Sequence, residues 1–292
     1  MSRKNVSIIF SPPYRRVFFL IQSLYLRDII NHKSIKMKKL FTITILFFCF
    51  VSSAQVWTLE GIKLKKGSEQ EYLEIEKFWK KVKKIAINEG KQRAWYVMKN
   101  VTKVEEGKER RYDYFVFNFY TDEDQMNQDI DVLAMAMKAH KGKVSKSKIR
   151  YNYENWSKPR ESTNVYTLKR LDRTINSTPI SKNTPLYIYP MVQKNEDYER
   201  YEMEYFKKWH EGEVLDYRKA FWAFDKVIDR TEKANKLITH FTFEKYTSEN
   251  PPESKRFDWN NLSFEQEMMF KHGGASREGY PRFKLEFVMD WK

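Results

Sequence analysis

Shifted by 126 positions, the chain from residue 55 onward falls on itself: Tyr72 on Tyr198, Glu76 on Glu202, Ala94 on Ala220, Phe115 on Phe241, Phe117 on Phe243 and Tyr120 on Tyr246. The register holds without a gap through one helix and two strands. A repeat of this length is a small domain, since solenoid units run about 20 to 50 residues. The chain is therefore expected to set two similar folded units side by side.

The first 54 residues stand apart from this pattern. Met37-Lys38-Lys39 precedes an apolar run over residues 40–51 and then Ser52-Ser53-Ala54, which together have the form of a secretory signal (37–54) cleaved after Ala54. A membrane anchor is the alternative, but a spanning helix needs about 20 apolar residues and this run has 12. Residues 1–36 read as a start-site artefact upstream of Met37, with a long cytoplasmic n-region as the rival reading. The only cysteine, Cys49, leaves with the signal, so neither a disulfide nor a thiolate site is expected in the exported chain. Formal charge is +15, and the leader carries nine Lys and Arg against Asp28 alone, which leaves +7. That balance suits weak attraction to anionic surfaces. Export, to the periplasm or the medium and without a stable membrane anchor, argues against nucleic acid as a partner by compartment.

Period and punctuation give the elements. Residues 56–64 alternate as a strand, and Ser68 is placed to cap a helix to about residue 88 with Glu69 and Glu71 in its first turn. Tyr72, Ile75, Trp79, Val82 and Ala86 recur at helical spacing as its buried face, and Gly90 ends it. Strands follow at 93–101 and 112–120, a helical stretch at 122–140, and a strand at 164–171. The second half repeats the order: a strand at 186–192, a helix at 196–216, strands at 220–228 and 236–246, a helix at 264–271 and a strand at 283–291. This is an α+β chain of two tandem ferredoxin-like βαββαβ units, 55–171 and 185–292, joined by a polar linker at 172–184.

Gly67-Ser68, Glu71-Tyr72 with Glu76 and Trp79 on the same helix, Trp95-Tyr96, and Tyr114-Phe115-Val116-Phe117 together resemble the dimeric α/β-barrel superfamily, antibiotic-biosynthesis-monooxygenase-like domains in particular. The chain is also similar to exported proteins of the Bacteroidetes type, whose signals commonly end in Ala-Gln. The resemblance covers both halves and implies that their sheets pair within one chain as an intrachain version of the dimeric barrel, leaving a monomer. It also implies cofactor-free oxygenases or isomerases as functional relatives. A haem-degrading branch uses an Asn, a Trp and a His; Trp95 and Asn118 have no nearby His, so that triad is not reproduced.

Independently, the strand at 112–120 is aromatic on both faces, with Phe115, Phe117 and Phe119 on one and Tyr114, Val116, Asn118 and Tyr120 on the other. Such a strand needs cover on both sides. The expected cavity lies between the sheets near Trp95, Tyr114, Asn118, Trp222 and Glu244, and suits a small apolar or aromatic ligand. Glu76 and Glu202 are the catalytic candidates, as carboxylates beside an aromatic cleft; the alternative is two solvated glutamates repeated by duplication. His210-Glu211-Gly212-Glu213 lacks the second His of a zinc helix, and neither a metal nor a cofactor is expected. Lysine runs at 80–84 and 138–148 read as solvated faces and a flexible connection. No constellation forms a catalytic signature, which leaves a non-catalytic binding module for a small ligand or a protein partner, with the oxygenase or isomerase as the alternative.

Overall fold

Nine strands form one antiparallel sheet, and eight of them close it into a barrel. The computed structural model describes residues 55–175, 182–254, 256–258 and 260–291. The leader and the centre of the linker lie outside the described residues. The elements are β1 (Val56–Leu64), α1 (Glu69–Asn88), β2 (Ala94–Asn100), β3 (Tyr114–Phe119), α2 (Glu123–Met126), α3 (Val132–Ala139), α4 (Lys146–Glu154) and β4 (Arg160–Arg173). After the linker come β5 (Leu186–Gln193), α5 (Tyr198–Tyr201), a π turn (Glu202–Phe206), α6 (Lys207–Leu215), β6 (Lys219–Arg230) and β7 (His240–Tyr246). The chain ends with α7 (Phe264–Met268), a second π turn (Met269–Gly273), β8 (Arg277–Gly279) and β9 (Phe283–Trp291).

Around the barrel the strands run β4-β1-β3-β2-β9-β5-β7-β6, and β6 returns to β4. The strands before the linker thus form one arc and those after it the other, joined at β2–β9 and β4–β6. β8 adds a short pairing on β5. Closure leaves none of the eight strands with a free edge, the standard liability of an open sheet. Long β4 is bulged where it meets β6, near Leu168 and Arg170, which bends the strand as barrel curvature requires.

Alternation decides what each face covers. The barrel interior holds Trp57, Leu59, Phe115, Phe117, Leu168, Ile188, Phe241, Phe243 and Leu285, all buried. Trp57 stacks on Phe119 at 4.9 Å between ring centres and meets Phe243 edge-on at 5.0 Å, so aromatic packing ties the two arcs together. On the outer face, α1 lies over Trp95, Val97, Tyr114 and Val116, while Tyr198 packs with Trp222 and Phe224.

A fully buried carboxylate ties the β4–β6 seam together. Asp225 on β6 is fully buried, and its Oδ1 accepts hydrogen bonds from Trp57 Nε1 and Arg170 Nε, both at 2.8 Å. Burial pushes its carboxyl pKa up and Arg170 opposes this. The carboxylate therefore relies on both donors.

Several expectations change in detail. The helical stretch at 122–140 is two helices, α2 and α3, broken where Asp131 begins a new cap by accepting from the Ala134 amide. The lysine-rich connection ends in α4, anchored by buried Ile149. β4 begins at Arg160 and runs two residues into the expected linker. Ser68 does not cap α1 with its side chain; its Oγ donates to the Lys65 and Pro159 carbonyls instead.

Two outcomes are expected. Asp225→Ala leaves an indole N–H and a guanidinium without their acceptor and should lower stability by about 3–5 kcal/mol, read as a lower urea midpoint. Ending the chain after Leu171 leaves β2 and β4 as open edges around an aromatic face, and the isolated 55–171 fragment should dimerise or aggregate on size exclusion.

Candidate functional site

α1 places a polar stripe against the sheet. Tyr72, Glu76, Trp79, Lys83 and Ala86 are spaced four, three, four and three residues apart, so they share one face. Above that face, α3 and α4 stand off from the sheet and border an open cavity of about 690 Å³. Its walls are aromatic and apolar, including Trp79, Trp95, Tyr120, Tyr153 and Trp156. Of its polar groups, Glu60, Glu76, Lys83, Gln92, Asn118 and Arg160 form one connected network.

Arg160, at the start of β4, organises that network. Its Nη2 donates to Glu76 Oε1 at 2.8 Å and its Nη1 to Glu60 Oε2 at 3.2 Å. The guanidinium also lies 4.6 Å from the centre of the Trp156 ring, a cation–π contact that fixes its plane. Asn118 on β3 donates to Glu60 Oε1 at 2.9 Å and to Thr58 Oγ1 at 3.1 Å. Its Oδ1 accepts from Lys83 Nζ at 2.8 Å and Gln92 Nε2 at 3.2 Å.

Burial sets the charges. Glu76 is 2 % exposed, and desolvation raises its carboxyl pKa to about 7 against the pull of Arg160, with Glu60 adding to the rise. Desolvation also lowers the Lys83 ammonium, while Glu60 and Glu76 pull it back up. The hydroxyl of Tyr72 is fully buried beside Glu76. A carboxyl that titrates near neutral pH in the wall of an aromatic cavity can give or take a proton there.

The five residues expected around one shared cavity are divided between two places. Trp95 and Asn118 line the α1 cavity. Tyr114 lies on the same face beyond it, with its hydroxyl bonded to Glu69. Trp222 and Glu244 lie in the other half: Trp222 stacks on His210 at 4.9 Å, and Glu244 pairs with Lys219 at 2.9 Å. The α1 cavity therefore lies between sheet and helices, and of the five residues only Trp222 lines the cavity that lies between the arcs. Because β3 is aromatic on both faces, alternation could group its residues but could not say which group faced inward.

Glu76 and Glu202 differ in the same way. Glu202 is 0 % exposed and bonded to Arg277, yet it does not line the α1 cavity. The π turn at Glu202–Phe206 advances the following face by one residue, so His210 rather than Trp209 covers Trp222. His210 Nδ1 lies 2.8 Å from Lys219 Nζ, and burial, then Lys219, pushes its pKa well down, leaving a neutral ring that accepts from the ammonium. These side chains fill the space that is open in the first half.

Sequence reading missed Arg160, Lys83 and Glu60. Arg160 precedes the strand start expected at Asn164, and Lys83 was one of four lysines in a run. The available signal was their position: Lys83 stands seven residues after Glu76, two turns along the same stripe. Among the described residues no helix is long and apolar enough to cross a membrane, and no group of three or more His, Cys, Asp or Glu is arranged to hold a metal ion.

No protein-family model matches the chain, nor does any curated protein sequence. Solved structures do resemble it. Two are named "putative monooxygenase": one from Lactobacillus acidophilus NCFM (10 % identity, TM-score 0.47, covering 80 % of this chain and 93 % of that one) and one from Fusobacterium nucleatum subsp. nucleatum (12 %, TM-score 0.49, covering 82 % and 94 %). A third is an anthrone oxidase-like protein (7 %, TM-score 0.48, covering 82 % and 94 %).

Proposed function

We propose that the α1 cavity binds a planar, largely apolar small molecule carrying one or two oxygens, and that the chain is an exported, monomeric tandem of two ferredoxin-like units of the dimeric α/β-barrel type. The observation that carries the ligand reading is a cavity of about 690 Å³, ample for a small organic molecule, with aromatic walls and a polar cluster at one side. Flat walls select a flat ligand by stacking, and Lys83, Gln92 and Arg160 offer N–H donors to its oxygens.

The tandem reading is supported by equivalences in space. Strand order in the first arc is β4-β1-β3-β2 and in the second β9-β5-β7-β6, the same order when counted from each half's own first strand. Tyr72 and Tyr198 are both 0 % exposed, Glu76 and Glu202 each pair with an arginine, and Phe117 and Phe243 both face the barrel interior. For export, the support remains the signal-like leader.

A second reading, a cofactor-free oxygenase or isomerase, is favoured by one observation: the Glu76 carboxyl titrates near neutral pH in the cavity wall. As a base it would take an acidic C–H proton from the bound molecule, and Arg160 would hold the ionised carboxylate in place.

Mass spectrometry of small molecules retained by the purified 55–292 chain tests the first reading. The native protein should carry a planar compound, and Lys83→Met should lose it or bind it roughly tenfold more weakly; equal retention by the variant would place the ligand elsewhere. Activity through Glu76 acting as a base should rise with pH through about 7 and vanish in Glu76→Gln. Stability gives a further check. Because the folded pKa is above the unfolded one, the folded state holds the Glu76 proton more tightly, and this group's contribution falls as pH rises from about 4.5 to about 7. Denaturation at pH 5 and pH 8 should show Glu76→Gln gaining about 3 kcal/mol on the native chain across that interval.

A further inference from the structure

The barrel has a second cavity, on the other side of the same sheet from the α1 cavity. It lies at the end where β1, β2, β5 and β6 begin and β3, β4, β7 and β9 finish, and each of the eight barrel strands, or the residues just beyond it, contributes to its wall. Its volume is about 340 Å³, the share of roughly eleven liquid waters and near the lower end for small-molecule sites.

Two properties set it apart from an ordinary gap in a core. The wall is aromatic, and several of its rings remain half-buried: Tyr96, Phe119, Phe221 and Phe287 pack on the interior cluster without being sealed by it. Rings left wet inside a concave wall are apolar area that a ligand could cover, at about 25 cal/mol per Å². The second property is charge. Five cations line the cavity (Arg93, Arg170, Arg173, Lys182 and Lys245) against one lining carboxylate, Asp290.

Pairing within the cavity leaves this excess in place. Lys182 bonds Asp290 at 2.8 Å, and Arg170 is held by Asp225 beneath the floor. Arg93 and Arg173 are exposed at the rim and form no ion pair among the described residues. Lys245 is 4 % exposed, and its ammonium donates to the Thr184 carbonyl with no carboxylate partner among the described residues. Desolvation lowers its pKa to about 8, so at neutral pH most of it is a buried, uncompensated cation. Burying such a charge is unfavourable unless an anion meets it.

From this geometry we infer that the barrel mouth is a binding site for an amphiphilic organic anion, a carboxylate on an apolar chain or ring, with its apolar body against Tyr96, Phe119, Phe221 and Phe287 and its carboxylate at Lys245 and the Arg93–Arg173 rim. A charge-assisted hydrogen bond from a desolvated ammonium recognises the head, and the aromatic wall recognises the body. A neutral amphiphile would satisfy the wall and leave the cations unanswered. This site is separate from the α1 cavity and does not depend on it.

Isothermal titration of the 55–292 chain with decanoate and with decanol tests the assignment. Decanoate should bind saturably at one site, and decanol roughly tenfold or more weakly. Lys245→Met should weaken decanoate to the level of decanol, and the exposed-rim pair Arg93→Ala with Arg173→Ala, which leaves the core untouched, should weaken it several-fold. Lys83→Met, in the other cavity, should leave decanoate affinity unchanged. Equal affinity for decanoate and decanol, or full decanoate affinity in the correctly folded rim variant, overturns the assignment. Loss of decanoate binding in Lys83→Met with none in the rim variant would place the anion in the α1 cavity and overturn it as well.

Discussion

A sheet that is apolar on both faces has to be covered on both, and nearly everything else in this molecule follows from how that is done. Curling the sheet into a barrel covers one face with itself and removes its edges at the same time. The helices cover the other. Each cover is imperfect at one place: α3 and α4 stand away from Trp95 and Asn118, and at one end of the barrel the rings of Phe119, Phe221 and Phe287 do not meet. Two cavities therefore lie back to back across a single layer of backbone. Their chemistry differs because the residues that alternate along a strand differ: Asn118 looks toward α1, while its neighbours Phe117 and Phe119 look into the barrel.

Strands were the most legible elements. β1 and β9 match the expected 56–64 and 283–291 because alternation and aromatic content mark both ends. Helix identity survived as well, since Tyr72, Val82 and Ala86 do sit on the buried side of α1. What sequence could not supply was the direction of each face. Tyr114 and Phe115 are equally good core residues by type, so alternation could not tell that Asn118 faces the helices while Phe117 and Phe119 face the barrel interior. Buried charges were hidden for a related reason. Arg160 and Lys83 have the composition of solvated residues, and only three-dimensional closure around Trp156 and Asn118 gives them carboxylate and amide partners.

The two halves differ in a way that a register of identities does not show. Asn118 is matched 126 positions later by Glu244, and Lys83 by Trp209. The π turn in the second half then moves His210, not Trp209, over the sheet, where it stacks on Trp222 and meets Lys219. One helix is regular and stands beside the 690 Å³ cavity; the other is irregular and sets His210 on Trp222. A π turn inside an α-helix is a locally unfavourable hydrogen-bonding arrangement, and here the packing of Phe206, His210 and Val214, all buried, offsets it.

The contact between Trp57 and Asp225 joins residues 168 positions apart, and β2 meets β9 across most of the described chain. Contacts this distant in sequence are the last a folding chain gains, because the loop they close must first be ordered. Residues 56–173 can assemble their own four strands from neighbours, but the seam strands β2 and β4 each keep one unpaired edge until the second half arrives. For that interval the nascent molecule is a half-barrel with an aromatic hollow and two unpaired rims. Asp225 then acts as a completion mark: its carboxylate finds both donors only when β6 has settled beside β4, so an incompletely closed barrel is left with a buried charge and a built-in disadvantage relative to the finished one.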